Sequence, residues 1–274
     1  MGGQGQTQGS ADERALESLL AFWAEAGVET LYDDAPVNRL AEPVRPVRAD
    51  PIAPTPLRKA AAPVGPDISA AVEEARVLAT AADSLEALES AIAAFDGCGL
   101  KFEGAKRAVF SRGNASAPVM VIGEGPGADE DAKGEPFVGR AGKLLDKMLA
   151  AAGLTDRVFI TNTVYWRPPG NRTPTPAEQA ICYPFVEKAI SLVSPRFLLL
   201  VGAASAKSIL KQEQGILSLR GRWFEWTNEQ SGQVLPALPT LHPAFLLRQP
   251  AAKKKAWSDL MTLTERLDRP DRPA

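Results

Sequence analysis

Apolar positions follow two rhythms along this chain of 274 residues. Between residues 11 and 32, Leu16, Leu19, Leu20, Phe22 and Trp23 fall on one helical stripe and Gly27 lies near its end, which predicts a helix. Residues 35–66 are dense in Pro, Ala and Arg and show neither period, so they read as a linker kept partly extended by its prolines. A second helical segment, Ala-rich and acidic, covers about 67–95. From about residue 118 the rhythm changes. Short apolar runs, at Val119–Ile122, Val158–Asn162, Phe197–Val201, Trp223–Trp226 and Val234–Leu238, read as strands. Helical patterns lie between them, near 140–152, from Thr175 onward, after Gly202 and over about 251–267. Thr175, Pro176 and Glu178 supply N-cap, N1 and N3 of a capping box. Strands alternating with helices predict a mostly parallel sheet covered on both faces. The expected organisation is a tail and helix (1–34), a linker (35–66) and one domain with a leading helix (67–274).

In such a sheet, ligands sit beyond the carboxyl ends of the strands. Three loops leave strands there: 123–139, 162–175 and the segment holding His242. The first contains Gly123, Gly125 and Ala128 in the spacing of a relaxed dinucleotide fingerprint. Asp129, Glu130 and Asp131 follow at once, and their charge opposes a pyrophosphate that needs bare amides at a helix start. A P-loop is excluded as well, because Leu144 follows Gly142-Lys143 and Phe137 stands where the first glycine belongs. What remains is a loop of carboxylates, permissive glycines and one aromatic. Taken singly, Phe137 reads as core, Glu124 and Asp131 as loop solubility or capping, and Asn162 as a local backbone partner. His242 is the only histidine, which leaves no second imidazole for a His-ligated metal site.

Charge adds one hint. The chain holds 31 Lys/Arg against 33 Asp/Glu, but its first 100 residues carry 7 and 16 of these, so the remainder is basic. A basic half suggests a polyanionic partner. The longest apolar runs are far too short to cross a bilayer. The start, MGGQGQTQGS, shows no secretory signal, and two cysteines do not make a disulfide scaffold; together they predict a cytoplasmic protein with no membrane association.

Read together, the loops are more specific than their parts. Gly-Glu-Gly-Pro-Gly-x-x-Glu-Asp-x-x-Gly-x-Pro-Phe-Val-Gly (123–139), Thr-Asn-Thr-Val (161–164), Arg-Pro-Pro-Gly-Asn-Arg (167–172) and His-Pro-Ala (242–244) resemble the family 4 uracil-DNA glycosylases, in the correct order over about 95–265. The resemblance implies a three-layer α/β/α fold with a central four-stranded, mostly parallel sheet. It also implies uracil-containing DNA as substrate, base excision repair as setting, and uracil flipped into a pocket between these loops. Catalysis is then expected from Glu124 and His242, with Glu130 and Asp131 behind Glu124. The base is expected against Gly125, Phe137 and Asn162. DNA contacts are expected from Arg167, Arg172, Arg248 and a wedging Leu246, with Lys253–Lys255 either holding phosphates or forming a solvated helix start.

The family typically holds a 4Fe-4S cluster on four cysteines, and here the chain departs from it. Cys98 and Cys182 keep a thiol, whereas Lys101 and Trp166 stand at the other two positions. Two thiolates do not satisfy ligation by four cysteines, so a member without the cluster is expected, with Trp166 filling the site. A related branch that traps DNA through a histidine in the loop matching 167–175 is disfavoured, because that loop has no histidine. A monomer is expected, and residues 1–95 are a candidate docking segment for a repair partner. The competing reading is a non-catalytic sensor of uracil or damage on the same fold, which keeps Phe137 and Asn162 without needing Glu124 or His242.

Overall fold

The computed structural model describes residues 68–269; the helix expected over 11–32 and the linker expected over 35–66 lie outside them. Its sheet has six strands: β1 (Ser111–Gly113), β2 (Val119–Gly123), β3 (Val158–Asn162), β4 (Phe197–Val201), β5 (Phe224–Thr227) and β6 (Val234–Thr240), in spatial order β1-β3-β2-β4-β6-β5. The central four, β3-β2-β4-β6, are parallel, and antiparallel β1 and β5 close the two edges. β2, β3 and β4 are buried at every position, as strands covered on both faces must be. Their side chains alternate between two cores. Met120, Ile122, Leu198 and Leu200 face one, while Val119, Val121, Leu199 and Val201 face the other.

Nine α-helices are found among the described residues: α1 (Ile68–Ala81), α2 (Leu85–Ala94), α3 (Ala128–Lys133), α4 (Arg140–Ala151), α5 (Pro176–Val193), α6 (Ala203–Leu210), α7 (Ile216–Leu219), α8 (Pro243–Arg248) and α9 (Lys253–Asp268). α1, α2, α5 and α6 supply the first core, and α4 and α9 the second. This is the expected α/β/α arrangement, with one refinement at each edge of the parallel four. The helical segment expected over 67–95 is two helices. Ser84 accepts a hydrogen bond from the Ala87 amide and restarts the chain as the N-cap of α2. The buried alanines of α1 (Ala71, Ala75 and Ala79) belong to the first core, so this helix is part of the domain it precedes. No helix among the described residues is long and apolar enough to cross a membrane.

Topology sets where a ligand can sit. The chain passes from β2 to β3 on one side and then returns to β4 on the other side of β2. The connections leaving the carboxyl ends of β2 and β4 therefore diverge, which opens a crevice at that switch point.

Candidate active site

Glu124 follows the last residue of β2, Asn162 is the last residue of β3, Gly202 follows β4 and His242 lies two residues beyond β6. The crevice above these strand ends is a cavity of about 540 Å³ lined by Glu124, Gly125, Phe137, Asn162, His242 and Arg248, among others. Residues far apart in sequence thus meet on one wall because four parallel strands end at one level. The loops tie to each other there. Thr163 donates from its amide to the Gly123 carbonyl (3.0 Å) and from its hydroxyl to the Glu124 carbonyl (2.6 Å), which fixes the backbone of Glu124 where that residue lines the cavity.

The Phe137 ring and the Asn162 amide converge on Gly123. A Cβ there would lie 2.4 Å from Phe137 Cζ and 2.4 Å from Asn162 Oδ1, so only glycine lets both approach. Asn162 is 1% exposed, and its Nδ2 has no hydrogen-bond partner. A buried donor left unpaired costs free energy (about 1–3 kcal/mol), which a ligand acceptor in the cavity would recover. The Phe137 and His242 rings lie 5.8 Å apart, tilted by 32°, so the cavity has an aromatic wall.

His242 is the N-cap of α8, and its Nδ1 accepts the Ala244 amide at 3.2 Å. An accepting Nδ1 carries no proton, which leaves the neutral ring with its hydrogen on Nε2. Burial, and secondarily the charge of Arg248, push its pKa down to about 4 against a smaller opposing pull from Glu130. Gly202, in a left-handed conformation (φ +96°), makes room for the imidazole: a Cβ there would sit 3.1 Å from His242 Cβ.

The remaining expected residues divide. Glu130 lines the cavity, but its carboxylate is engaged: one oxygen accepts the Val138 and Gly139 amides (2.9 Å each) and the other the Gly127 amide (3.1 Å). Asp131 is buried behind the loop and accepts the Lys106 amide at 2.7 Å. Arg248 is exposed at the cavity rim. Arg172 lines the rim as well, yet its guanidinium is paired with Glu178 and Glu103. Arg167 bonds Asn171 in the neighbouring loop. Leu246 corrects its expected role: it is 0% exposed, packed with Leu241 and Ala256, and does not protrude as a wedge. The inward stripe of α8 claims it, leaving Leu247 outward and Phe245 on the cavity wall. Sequence reasoning missed Thr163, Gly202 and Phe245, of which only Thr163 lies in a recognised motif.

The cysteine region sits apart from this cavity. Cys98 and Cys182 are both fully buried and carry free thiols that interact with each other. The influence of each thiol on the other holds Cys98 below and Cys182 above the ordinary thiol range. Lys101 turns its ammonium away, onto the Ala93 and Phe95 carbonyls (2.8 and 3.1 Å) and Asp96 (2.7 Å) at the end of α2. Trp166 is 1% exposed among Phe95 and Tyr165. Two thiols, a committed ammonium and an indole do not fit the donor set of a 4Fe-4S cluster. Among the described residues no group of three or more His, Cys, Asp or Glu could hold a metal.

Residues 110–261 match the family model of the uracil DNA glycosylase superfamily. The chain is 39% identical to the type-4 uracil-DNA glycosylase of Thermotoga maritima over 142 residues, 51% of this chain and 71% of the relative. It is 35% identical to that of Sulfurisphaera tokodaii over 189 residues, covering 67% and 84%. The enzyme of the same name from Pyrobaculum aerophilum is 37% identical over 57% of this chain and 81% of its own length. With its fold, its strand-end loops and these relatives in agreement, the chain belongs to the uracil DNA glycosylase superfamily and, within it, to the type-4 uracil-DNA glycosylases.

Proposed function

We propose that the cavity beyond β2 and β3 is where deoxyuridine, flipped out of DNA, loses its base. The observation that carries this reading is the unpaired, buried Asn162 amide beside Phe137 and a neutral His242. Chemistry on a base inside a duplex requires the nucleotide to be extruded, stacked and read on its edge. Phe137 supplies the face. The Asn162 Nδ2 donor suits O4 of uracil and its Oδ1 suits N3–H, whereas cytosine offers the reverse pattern at both atoms. A pocket that leaves buried groups unpaired against the wrong base discriminates strongly.

Excision breaks the bond between C1′ and N1. The bonding pair leaves with uracil and spreads onto O2, while positive charge grows on the sugar. His242 Nε2–H donates to O2 as that charge develops, a stabilisation of roughly 3–4 kcal/mol for one such donor. Its low pKa suits this role, because the ring stays a neutral donor at physiological pH. Glu124 places a carboxylate near the cationic sugar and orients the water that adds to C1′ and gives up a proton; the departing uracil anion takes up a proton. The Gly125 backbone borders the base, and Arg248 meets a flanking phosphate. Glu130 and Asp131 hold the loop rather than touch substrate. Arg172, committed to two carboxylates, contributes less to DNA contact than Arg248.

We further propose that this activity proceeds without an iron-sulfur cluster, on the mismatch of donors at Cys98, Lys101, Trp166 and Cys182. The test of function is alkali-revealed cleavage of a labelled oligonucleotide bearing one uracil, comparing wild type with His242→Ala and Glu124→Ala. Scission by the wild type and losses in both variants are expected. Binding without scission by the wild type would instead leave a damage sensor.

A further inference from the structure

Phe137 is one of four non-glycine residues among the described ones with positive φ, at +56°, a left-handed conformation rarely adopted by a bulky side chain. Such a conformation persists only where the surroundings over-determine it. Here they do so from both sides of one residue. Arg112, in edge strand β1, donates through Nε to the Pro136 carbonyl (2.7 Å) and through Nη2 to the Phe137 carbonyl (3.2 Å); Nη2 also bonds Asp146 on α4 (2.6 Å). One carboxylate oxygen of Glu130 accepts the next two amides, Val138 and Gly139. Gly142, at the start of α4, closes the third side, since a Cβ there would lie 1.7 Å from the Phe137 carbonyl oxygen.

From this we infer that Arg112 and Glu130 form a two-sided clamp that holds the Phe137 ring as a preset platform for flipped uracil, which makes Arg112 a positioning residue for excision. The placement of Arg112 carries the point further. It pairs with Ile160 on β3, the strand that ends in Asn162. One sheet ladder therefore sets both the stacking face, through Arg112, and the edge reader, through Asn162. The distance between face and edge is the thickness over which a pyrimidine must fit, and a small misplacement of a positioned group is costly.

This inference rests on the uracil reading, and its test separates the two. DNA with one 2′-fluoro-2′-deoxyuridine, whose glycosidic bond resists cleavage, reports base capture apart from chemistry. By fluorescence anisotropy, Arg112→Gln is expected to weaken binding of that DNA roughly 5- to 100-fold, the range of one base–aromatic stack, without changing affinity for the same DNA with thymine. Arg112→Lys, which keeps a donor to the carbonyls, recovers part of the loss. Glu130→Ala repeats the effect from the amide side. In a Phe137→Ala background the Arg112→Gln change shrinks to less than about 2-fold, because Arg112 acts through the ring. Equal losses in both backgrounds, or an unchanged affinity in Arg112→Gln, overturn the clamp. If Arg112→Gln does not fold, Asp146→Asn, which releases the guanidinium from a half-exposed partner, runs through the same cycle. A wild type that captures the fluorinated uridine but does not cut deoxyuridine fails the excision reading while leaving this cycle to decide the clamp. A wild type that binds both DNAs equally removes the clamp, and scission of deoxyuridine still decides the excision reading.

Discussion

His242 shows how one side chain can be prepared for its task by a single backbone amide. The Ala244 N–H occupies Nδ1, and burial disfavours a second proton, so the ring is held as the Nε2–H tautomer. As the only histidine, it gives one imidazole signal set in a nitrogen-15 correlation spectrum. That set is expected to keep the neutral Nε2–H pattern from pH 8 to about 5 and to titrate only near 4; titration near 6.5 would remove the reading. The sign follows for rate. The neutral ring is the productive form, so kcat has no acid limb from His242 until pH falls toward about 4. It follows for stability too. Between pH 6.5 and 4 the unfolded chain binds a proton that the native site refuses, so this group's contribution, complete above 6.5, is lost as pH falls through that window. His242→Ala is expected to lower kcat by about 10²–10³-fold, measured under single turnover.

At the scale of elements, the site depends on where strands and helices begin and end. α5 starts in the capping box expected from Thr175 and Glu178: the Thr175 hydroxyl accepts the Glu178 amide, and the Glu178 carboxylate accepts the Thr175 amide. Thr175→Ala is expected to cost about 1 kcal/mol in denaturant unfolding, with excision at saturating DNA unchanged; a larger effect on rate than on stability would place this cap in the site. Arg248, exposed at the cavity rim, and Arg172, paired with two carboxylates, make opposite predictions. Arg248→Ala should lower the salt slope of DNA binding by about one and Arg172→Ala by clearly less; the reverse order would overturn the assignment. The central strands were legible because their apolar runs sit in a doubly covered sheet. β1 was not, since Ser111–Gly113 is three residues on an edge with no apolar side chain, and α3 was not, since Ala128–Lys133 has no apolar stripe. The same acidic run that argued against a phosphate was capping its own helix, through Glu130 on the Gly127 amide. Leu246 shows the converse limit: a leucine after His-Pro-Ala reads equally as wedge or core, and only the packing of α8 decides. Arg112 carries no sequence signal at all, because its partners lie 24 or more residues away.

At the scale of the molecule, the region where the family would hold a cluster joins three separated segments: the turn after α2, the early part of the loop that follows β3 and the second turn of α5. A cluster would tie them by covalent ligation. In this chain aromatic packing joins them as well. Trp166 contacts Phe95 and Tyr165, Phe95 meets Phe185 edge-on, and the two free thiols are buried in the same core. Lys101 secures the end of α2 through three oxygens, which also suits a cation at a helix C-terminus. A packed joint and a ligated one respond differently to perturbation. Anaerobically purified protein is expected to contain no stoichiometric iron and to show no cluster absorbance in the visible. Its unfolding midpoint should be indifferent to an iron chelator, whereas Trp166→Ala should cost about 3–5 kcal/mol by emptying the centre of the joint. The double substitution Lys101→Cys with Trp166→Cys places thiols at all four positions. Reconstituted with iron and sulfide, it is expected to gain the visible band the wild type lacks. A brown wild type would overturn the cluster-free reading outright. A double variant that stays colourless would show that Lys101 and Trp166 do not stand where the missing ligands belong.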